Sequence, residues 1–489
     1  MNNKQLNLKQ ESQENPNPIL LVAMKEALYQ PDAIIEKLAP NGQPAMVFER
    51  ENVSTLVLNP KEVLTARKGR LTRKNAAGEV LEEVGEPIRY LKKVYQENQQ
   101  VFNKVNGQPS FQSGLIGYFS YDFARYADEV RLKEVDDNLG LEDFDLLLTD
   151  IVVNYDRKQR VLYISQPALS ENKAEQEAQK EALLAYGQEL QALSKEGLSV
   201  TAKQKQATLN LKHQFTVAEF DQRVQKAKEH IIQGDIFQLI LSNPLTAKND
   251  NRKLLLHQAE NLRKTAKSPY HAYFQDGDFS FLSGSPETLI KKSGELLYSY
   301  PLAGTRRRGK DAEEEARFEK ELRTSVKEQA EHNMLIDLGR NDLGRISQFG
   351  TVEVTAYQNL LKFPNVMHLG SVVESQALPN LNPIDAILAT LPAGTLSGAP
   401  KISAMTIINE LEGRKRGLYG GGIGLVGFDG DFDLCIGIRS AYQKKDQLVL
   451  QSGAGIVADS DAKEEYQEFT NKGALLMNLL KGEGDVAID

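Results

Sequence analysis

The sequence predicts an α+β fold with mixed or antiparallel sheets, and two observations carry that expectation. Strand-like runs recur in adjacent pairs, as in Ala272-Tyr273-Phe274 followed by Phe279-Ser280-Phe281-Leu282. Runs joined only by a turn suit antiparallel pairing. Helical patterns also occur, but without the regular strand–helix–strand rhythm of a doubly wound sheet.

Taken in order, residues 1–18 are rich in Asn, Gln and Pro and read as a loose or short-helical lead. Residues 19–165 mix short apolar runs with turns. The clearest strand candidates are Met46-Val47-Phe48, Ser54 to Leu58, Leu146 to Val153 and Val161 to Ile164. Residues 166–213 are dense in Gln, Lys, Glu and Ala, and read as a merely solvated helix plus a linker. From 214 the pattern tightens. Thr216 followed by Glu219 is a capping box opening a helix over 216–233. Phe318, Leu322, Val326 and Ala330 give a core stripe for a helix over 313–338. Tyr466, Phe469, Gly473, Leu476 and Leu480 do the same over 461–480. The chain thus divides into an N-terminal α+β region at 1–165, a polar helix and linker at 166–213, and a denser region at 214–489.

Composition narrows the function. The 489 residues carry a formal charge of −8, with 40% apolar and 26% charged side chains, as in ordinary soluble domains. No nucleic-acid partner is expected, because phosphate binding needs a surplus of Lys and Arg. The N-terminus lacks the apolar core of a signal peptide, and no run of about 18 apolar residues could span a bilayer. A cytoplasmic protein with no membrane partner is expected. The single cysteine, Cys435, sits in Leu434-Cys435-Ile436 and reads as a buried, inert thiol.

Three patterns invite chemistry. Gly422-Ile423-Gly424-Leu425-Val426-Gly427 matches a dinucleotide fingerprint letter by letter, but a strand-like run follows it where a helix should, so nucleotide binding is rejected. Glu328 and Glu331 share one helix face, and Glu465, Glu468 and Lys472 edge the apolar stripe of another. Carboxylates from two helices could hold a hard cation such as magnesium. From pattern alone, two solvated amphipathic helices account for them better. Thirteen of the 36 glycines fall in 394–455, a density that favours close backbone approach to a ligand. Around them lie His368, Thr395, Tyr419, Arg439 and Lys472.

The order of segments adds more. Gly234-Asp235-Ile236-Phe237-Gln238, Gly284-Ser285-Pro286-Glu287 and Pro301 to Arg306 resemble the chorismate-utilising enzyme family. So do Lys327 to His332, Asp337 to Asp342, Val366-Met367-His368, Pro392 to Lys401, Tyr419-Gly420-Gly421, Gln451 to Val457 and Glu464 to Lys472. The resemblance implies an anthranilate-synthase-like composite fold, with two large antiparallel sheets packed together and helices outside. It implies Mg2+ held by Glu331 and Glu468, with help from Glu328 and Glu465, gripping the ring carboxylate of chorismate. Gly453, Ala454, Gly455 and Lys472 would serve that carboxylate, and Tyr419 and Arg439 the carboxylate of the enolpyruvyl arm. Glu287 would be the general acid, with a pKa raised by burial near other acids. His368 and Thr395 would flank the reacting ring.

Some members of the family carry a lysine at the position of Gln238 or of Ala303; this chain has neither, and the resemblance then implies ammonia as nucleophile. The Pro392–Gly398 segment is similar to anthranilate synthases, whose products are anthranilate and pyruvate. Cys435 does not suit a glutaminase nucleophile. A separate glutamine amidotransferase subunit is therefore implied as the ammonia source. A tryptophan feedback site is implied at Glu49, Pro269 and Tyr270, with Arg50 and His271 departing from the usual pattern.

Overall fold

The computed structural model describes residues 18–99, 109–137, 139–198, 209–363, 366–481 and 487–488. The expected lead therefore falls, but for Pro18, outside the described residues, as does the linker over 199–208.

Two twelve-stranded sheets dominate, and each is built from both ends of the chain. In the first, five strands from the N-terminal region meet seven from residue 210 onward. They join where Ala45–Arg50 lies antiparallel to Tyr270–Asp276, with Arg50 opposite Tyr270. In the second, the seam runs between Gly114–Phe119 and Gly422–Gly427. Among the described strands only Asn210–His213 and Ala487–Ile488 pair in parallel. The sheet core is an aromatic-rich apolar layer that draws on both sheets, including Phe48, Tyr118, Phe274, Phe281 and Tyr442 with the aliphatic Ile423. Helices cover the outer faces. Pro31–Leu38, Leu254–Thr265 and the end of Ala462–Lys481 pack on the first sheet. Pro87–Asn98, Val326–Gly344 and Pro383–Thr390 pack on the second. This is the two-sheet α+β architecture expected.

Local signals are realised closely. The helix Val217–Gln233 begins with the Thr216–Glu219 capping box, both halves formed. The glycine-rich hexapeptide is a strand, Gly422–Gly427, in the middle of a sheet. Cys435 is buried in the inter-sheet layer, and burial pushes its thiol up to about 12.

Two expectations need correction. The helix expected over 313–338 is two, Ala312–Thr324 and Val326–Gly344. Ser325 is extended and accepts from the Glu328 N–H at 3.3 Å, so a polar cap interrupts the stripe. Val326 consequently stands 81% exposed. The polar helix, Lys173–Glu196, is not merely solvated. Leu183, Gly187, Leu190 and Ser194 form a narrow buried face at spacings of four, three and four. At Gly187 a Cβ would lie 2.4 Å from Met24 Sδ and 2.8 Å from Ile164 Cδ1, so the bare glycine lets these side chains pack against the helix.

A third, three-stranded sheet orders Gly398–Ala399, Gln238–Ser242 and Gly453–Ile456 side by side. It places the glycine-rich C-terminal segments next to one another, and the candidate site forms there.

Candidate active site

Glu287 follows the strand Phe279–Ser283 and is tied to the opposing chain by its carbonyl, which accepts from Ile436 N at 3.0 Å. Its Oε1 accepts from the Thr395 hydroxyl at 3.0 Å, and Thr395 rides on the short turn Gly394–Leu396. Among the described residues no cation faces this carboxyl. Burial pushes its pKa up to about 7, and the Thr395 hydroxyl only moderates the rise. Burial alone supplies the shift expected from the sequence; no second acid contributes to it.

A cationic wall stands nearby, joined by Gly284 N donating to Arg439 O at 3.0 Å. Arg439 takes a left-handed backbone at φ 49°, and its Nη1 donates to the Lys472 carbonyl at 3.1 Å. Lys472 Nζ donates to Gly453 O at 3.1 Å and pairs with Glu468 at 2.6 Å. Tyr419 is buried, with its hydroxyl 2.7 Å from where a Gly453 Cβ would stand. Gly453 therefore has to be glycine, whereas a Cβ on Gly455 would meet only Ile240 at 3.5 Å. Ala454 turns its methyl into the core beneath.

His368 lies on the strand Val366–Gln376. Its Nδ1 donates to the Gly304 carbonyl at 2.9 Å, which leaves Nε2 as the lone-pair nitrogen when the ring is neutral. Burial, then the charge of Arg439, lower its pKa, despite the hydrogen bond to Gly304.

The four glutamates on the two helices sense one another. Burial and then the Glu328 charge raise Glu331, with Glu468 adding to the rise. Burial raises Glu465, and Glu468 adds to it. Glu328 pairs with Arg306 at 3.1 Å, and Glu468 with Lys472. Among the described residues no three His, Cys, Asp or Glu side chains stand close enough to hold a metal ion as they are. The donor set nonetheless fits a hard cation: all carboxylates, mutually repelling, with Glu465 Oε2 buried and lacking a hydrogen-bond partner.

A model of the chorismate binding enzymes matches residues 43–478. The chain belongs to the chorismate binding enzyme family. It is 35% identical to anthranilate synthase component 1 of Acetivibrio thermocellus, over 88% of this chain and 87% of that one. It is 36% identical to aminodeoxychorismate synthase component 1 of Bacillus subtilis, over 94% of this chain and 97% of that one. The crystal structure of anthranilate synthase component I from Streptococcus pneumoniae superposes with a TM-score of 0.70 at 34% identity, covering 86% of this chain and 91% of that one.

Local sequence patterns did not reveal the support beneath this candidate site. Arg416 and Glu412 form a buried ion pair at 2.6 Å, side chains 1% and 2% exposed. Arg416 donates to Leu396 O at 2.6 Å and Ile240 O at 2.7 Å, and lies under the Tyr419 ring. It thereby fixes the Thr395 turn, the central strand of the small sheet and Tyr419 together. The four-residue spacing of Glu412 and Arg416 was the only available signal.

The N-terminal residues gather elsewhere. Glu49, Pro269 and His271 line a cavity of about 640 Å³ with Asp32, Arg157 and Arg263. Glu49 pairs with Arg157, and Asp32 with Arg263. Tyr270 does not line it. Strand alternation turns Tyr270 into the inter-sheet layer, where its hydroxyl meets Thr288 at 2.8 Å. Arg50 turns the same way and pairs with Asp433 across the sheets. Among the described residues no helix is long and apolar enough to cross a membrane.

Proposed function

We propose that this chorismate binding enzyme is the large subunit of an anthranilate synthase, a lyase converting chorismate and ammonia to anthranilate, pyruvate and water. The observation that carries the reading is Glu287. It is an uncompensated carboxyl whose pKa of about 7 lets it hold a proton near neutrality, beside a wall of Arg439 and Lys472 suited to carboxylates. Glu287 gives its proton to the departing ring hydroxyl as ammonia adds to the ring. His368 Nε2 then takes the ring proton as pyruvate leaves and the ring aromatises. Arg439 and Tyr419 hold the carboxylate of the arm.

Glu331 and Glu468, helped by Glu465, would hold Mg2+, which supplies charge neutralisation for the ring carboxylate. Ammonia is favoured as nucleophile because Ala303 and Gln238 stand where a lysine would be needed. A separate glutamine amidotransferase subunit would deliver it, since the only thiol here is inert between the sheets. The cavity at Glu49 and Pro269 is assigned to tryptophan as feedback inhibitor. Asp32 Oδ1, buried and without a hydrogen-bond partner among the described residues, suits its ammonium.

The Bacillus subtilis relative supports a second reading, an aminodeoxychorismate synthase using ammonia directly. Purified chain with chorismate, Mg2+ and an ammonium salt separates the two. Fluorescent anthranilate and equimolar pyruvate are expected. An aminated, non-aromatic product without pyruvate selects the second reading, and no turnover by folded protein rejects both. Glu468→Gln should abolish turnover; retained activity rejects the metal assignment.

A further inference from the structure

The strand carrying His368 meets an irregular neighbour. In the pairing of Leu302–Arg307 with Val366–Gln376, Ala303 opposes Leu369 and Arg306 opposes Met367. Gly304 and Thr305 therefore lie together opposite His368, a β-bulge with Gly304 at φ 65°. Bulges free a backbone group from the ladder and re-aim it. Here the freed group is the Gly304 carbonyl, which accepts from His368 Nδ1 at 2.9 Å, while the Thr305 hydroxyl stands 3.2 Å from the same nitrogen.

Something has to hold the bulge. A Cβ on Gly304 would lie 2.9 Å from Glu328 Oε2 and 2.7 Å from Leu322 Cδ1, so the Glu328 carboxylate abuts the turn directly. The other oxygen, Oε1, accepts from Arg306 Nη1 at 3.1 Å, and the same Nη1 donates to Thr305 O at 2.9 Å. Arg306 thus closes a clasp: its guanidinium grips both the bulge backbone and the carboxylate pressed against it. In this arrangement both oxygens of Glu328 face the clasp.

We infer that Arg306 is a positioning residue for His368, acting with Glu328 to hold the Gly304–Thr305 bulge whose carbonyl selects the imidazole tautomer. The inference deepens the proposed function, on which it rests, because only the Nδ1–H tautomer offers Nε2 to the ring proton.

The test is histidine-selective 15N NMR of the full chain, which has six histidines. The His368 signals are assigned by their loss in His368→Gln. Wild type should show the Nδ1–H form. Arg306→Gln and Glu328→Gln should each populate the Nε2–H form, and Arg306→Lys should restore the wild-type pattern. In the amination assay, Arg306→Gln should lower kcat about tenfold and leave the chorismate KM within twofold. An unchanged tautomer in folded Arg306→Gln overturns the inference. So does a folded Glu328→Gln protein that keeps the wild-type tautomer. If wild type releases no pyruvate, the proposed function fails, and the tautomer series still decides whether Arg306 positions His368.

Discussion

Two inward-facing glutamates grip the same short turn, Gly394–Leu396, from different regions. In the cleft, Glu287 bonds the Thr395 hydroxyl and faces no cation. In the support below, Glu412 is joined to Arg416, which reaches the Leu396 carbonyl. Residue type is the same and the neighbourhood is shared. The counter-ion makes the difference: without one, burial favours the protonated acid; with one, the ion pair organises backbone. One region leaves a carboxyl that holds a proton near neutrality, and the other ties backbone segments together.

The largest effect should come from the cleft. Glu287→Gln is expected to slow pyruvate release by about 10²–10⁴-fold, while the thermal midpoint stays level or rises. A stability loss without a rate loss would erase the contrast. In the support, Arg416→Met leaves Glu412 buried and unpaired, and should cost about 3–5 kcal/mol in denaturant unfolding. Adding Glu412→Leu should recover most of it, because the stranded charge goes too.

The pH response sharpens the contrast next. Glu287 has a folded pKa of about 7 against an ordinary 4.5. The folded state therefore binds more protons than the unfolded state between those values. Its contribution destabilises progressively as pH rises from about 4.5 through about 7, by on the order of 3 kcal/mol at 1.36 kcal/mol per unit. Unfolding measured across that window should show a larger loss in wild type than in Glu287→Gln, the difference being this contribution. The rate per free ammonia should likewise fall above about pH 7. The smallest effect separates two glycines. Gly453→Ala must displace the Tyr419 hydroxyl and should cost about 1–3 kcal/mol, whereas Gly455→Ala should unfold within about 0.5 kcal/mol of wild type.

Much of this was legible in the chain. The paired strand runs, the Thr216 capping box and the C-terminal helix stripe are local patterns, set by side chains a few residues apart. The stripe over 313–338 failed because a serine cap outcompetes helix continuation at one residue. The buried face of Lys173–Glu196 escaped notice because it is only four residues wide and includes a glycine and a serine. In the site, the residue types were readable and their company was not. Tyr270 and Glu49 are both in the expected motifs, yet strand alternation sends them to different compartments.

The sequence by itself determined which chemical groups this protein owns: one acid in a Gly-Ser-Pro-Glu turn, carboxylates on two helices, and an arginine, a lysine and glycines close together near the C-terminus. Only the tertiary structure decided what each became. Thr395 meets Glu287 across 108 residues, Arg306 meets Glu328 between a strand and a helix, and Glu412 receives a cation that Glu287 does not. The reason is physical. Periodicity and caps depend on neighbours along the chain, whereas a pKa or an ion pair depends on distance and burial, which exist only once distant segments have packed.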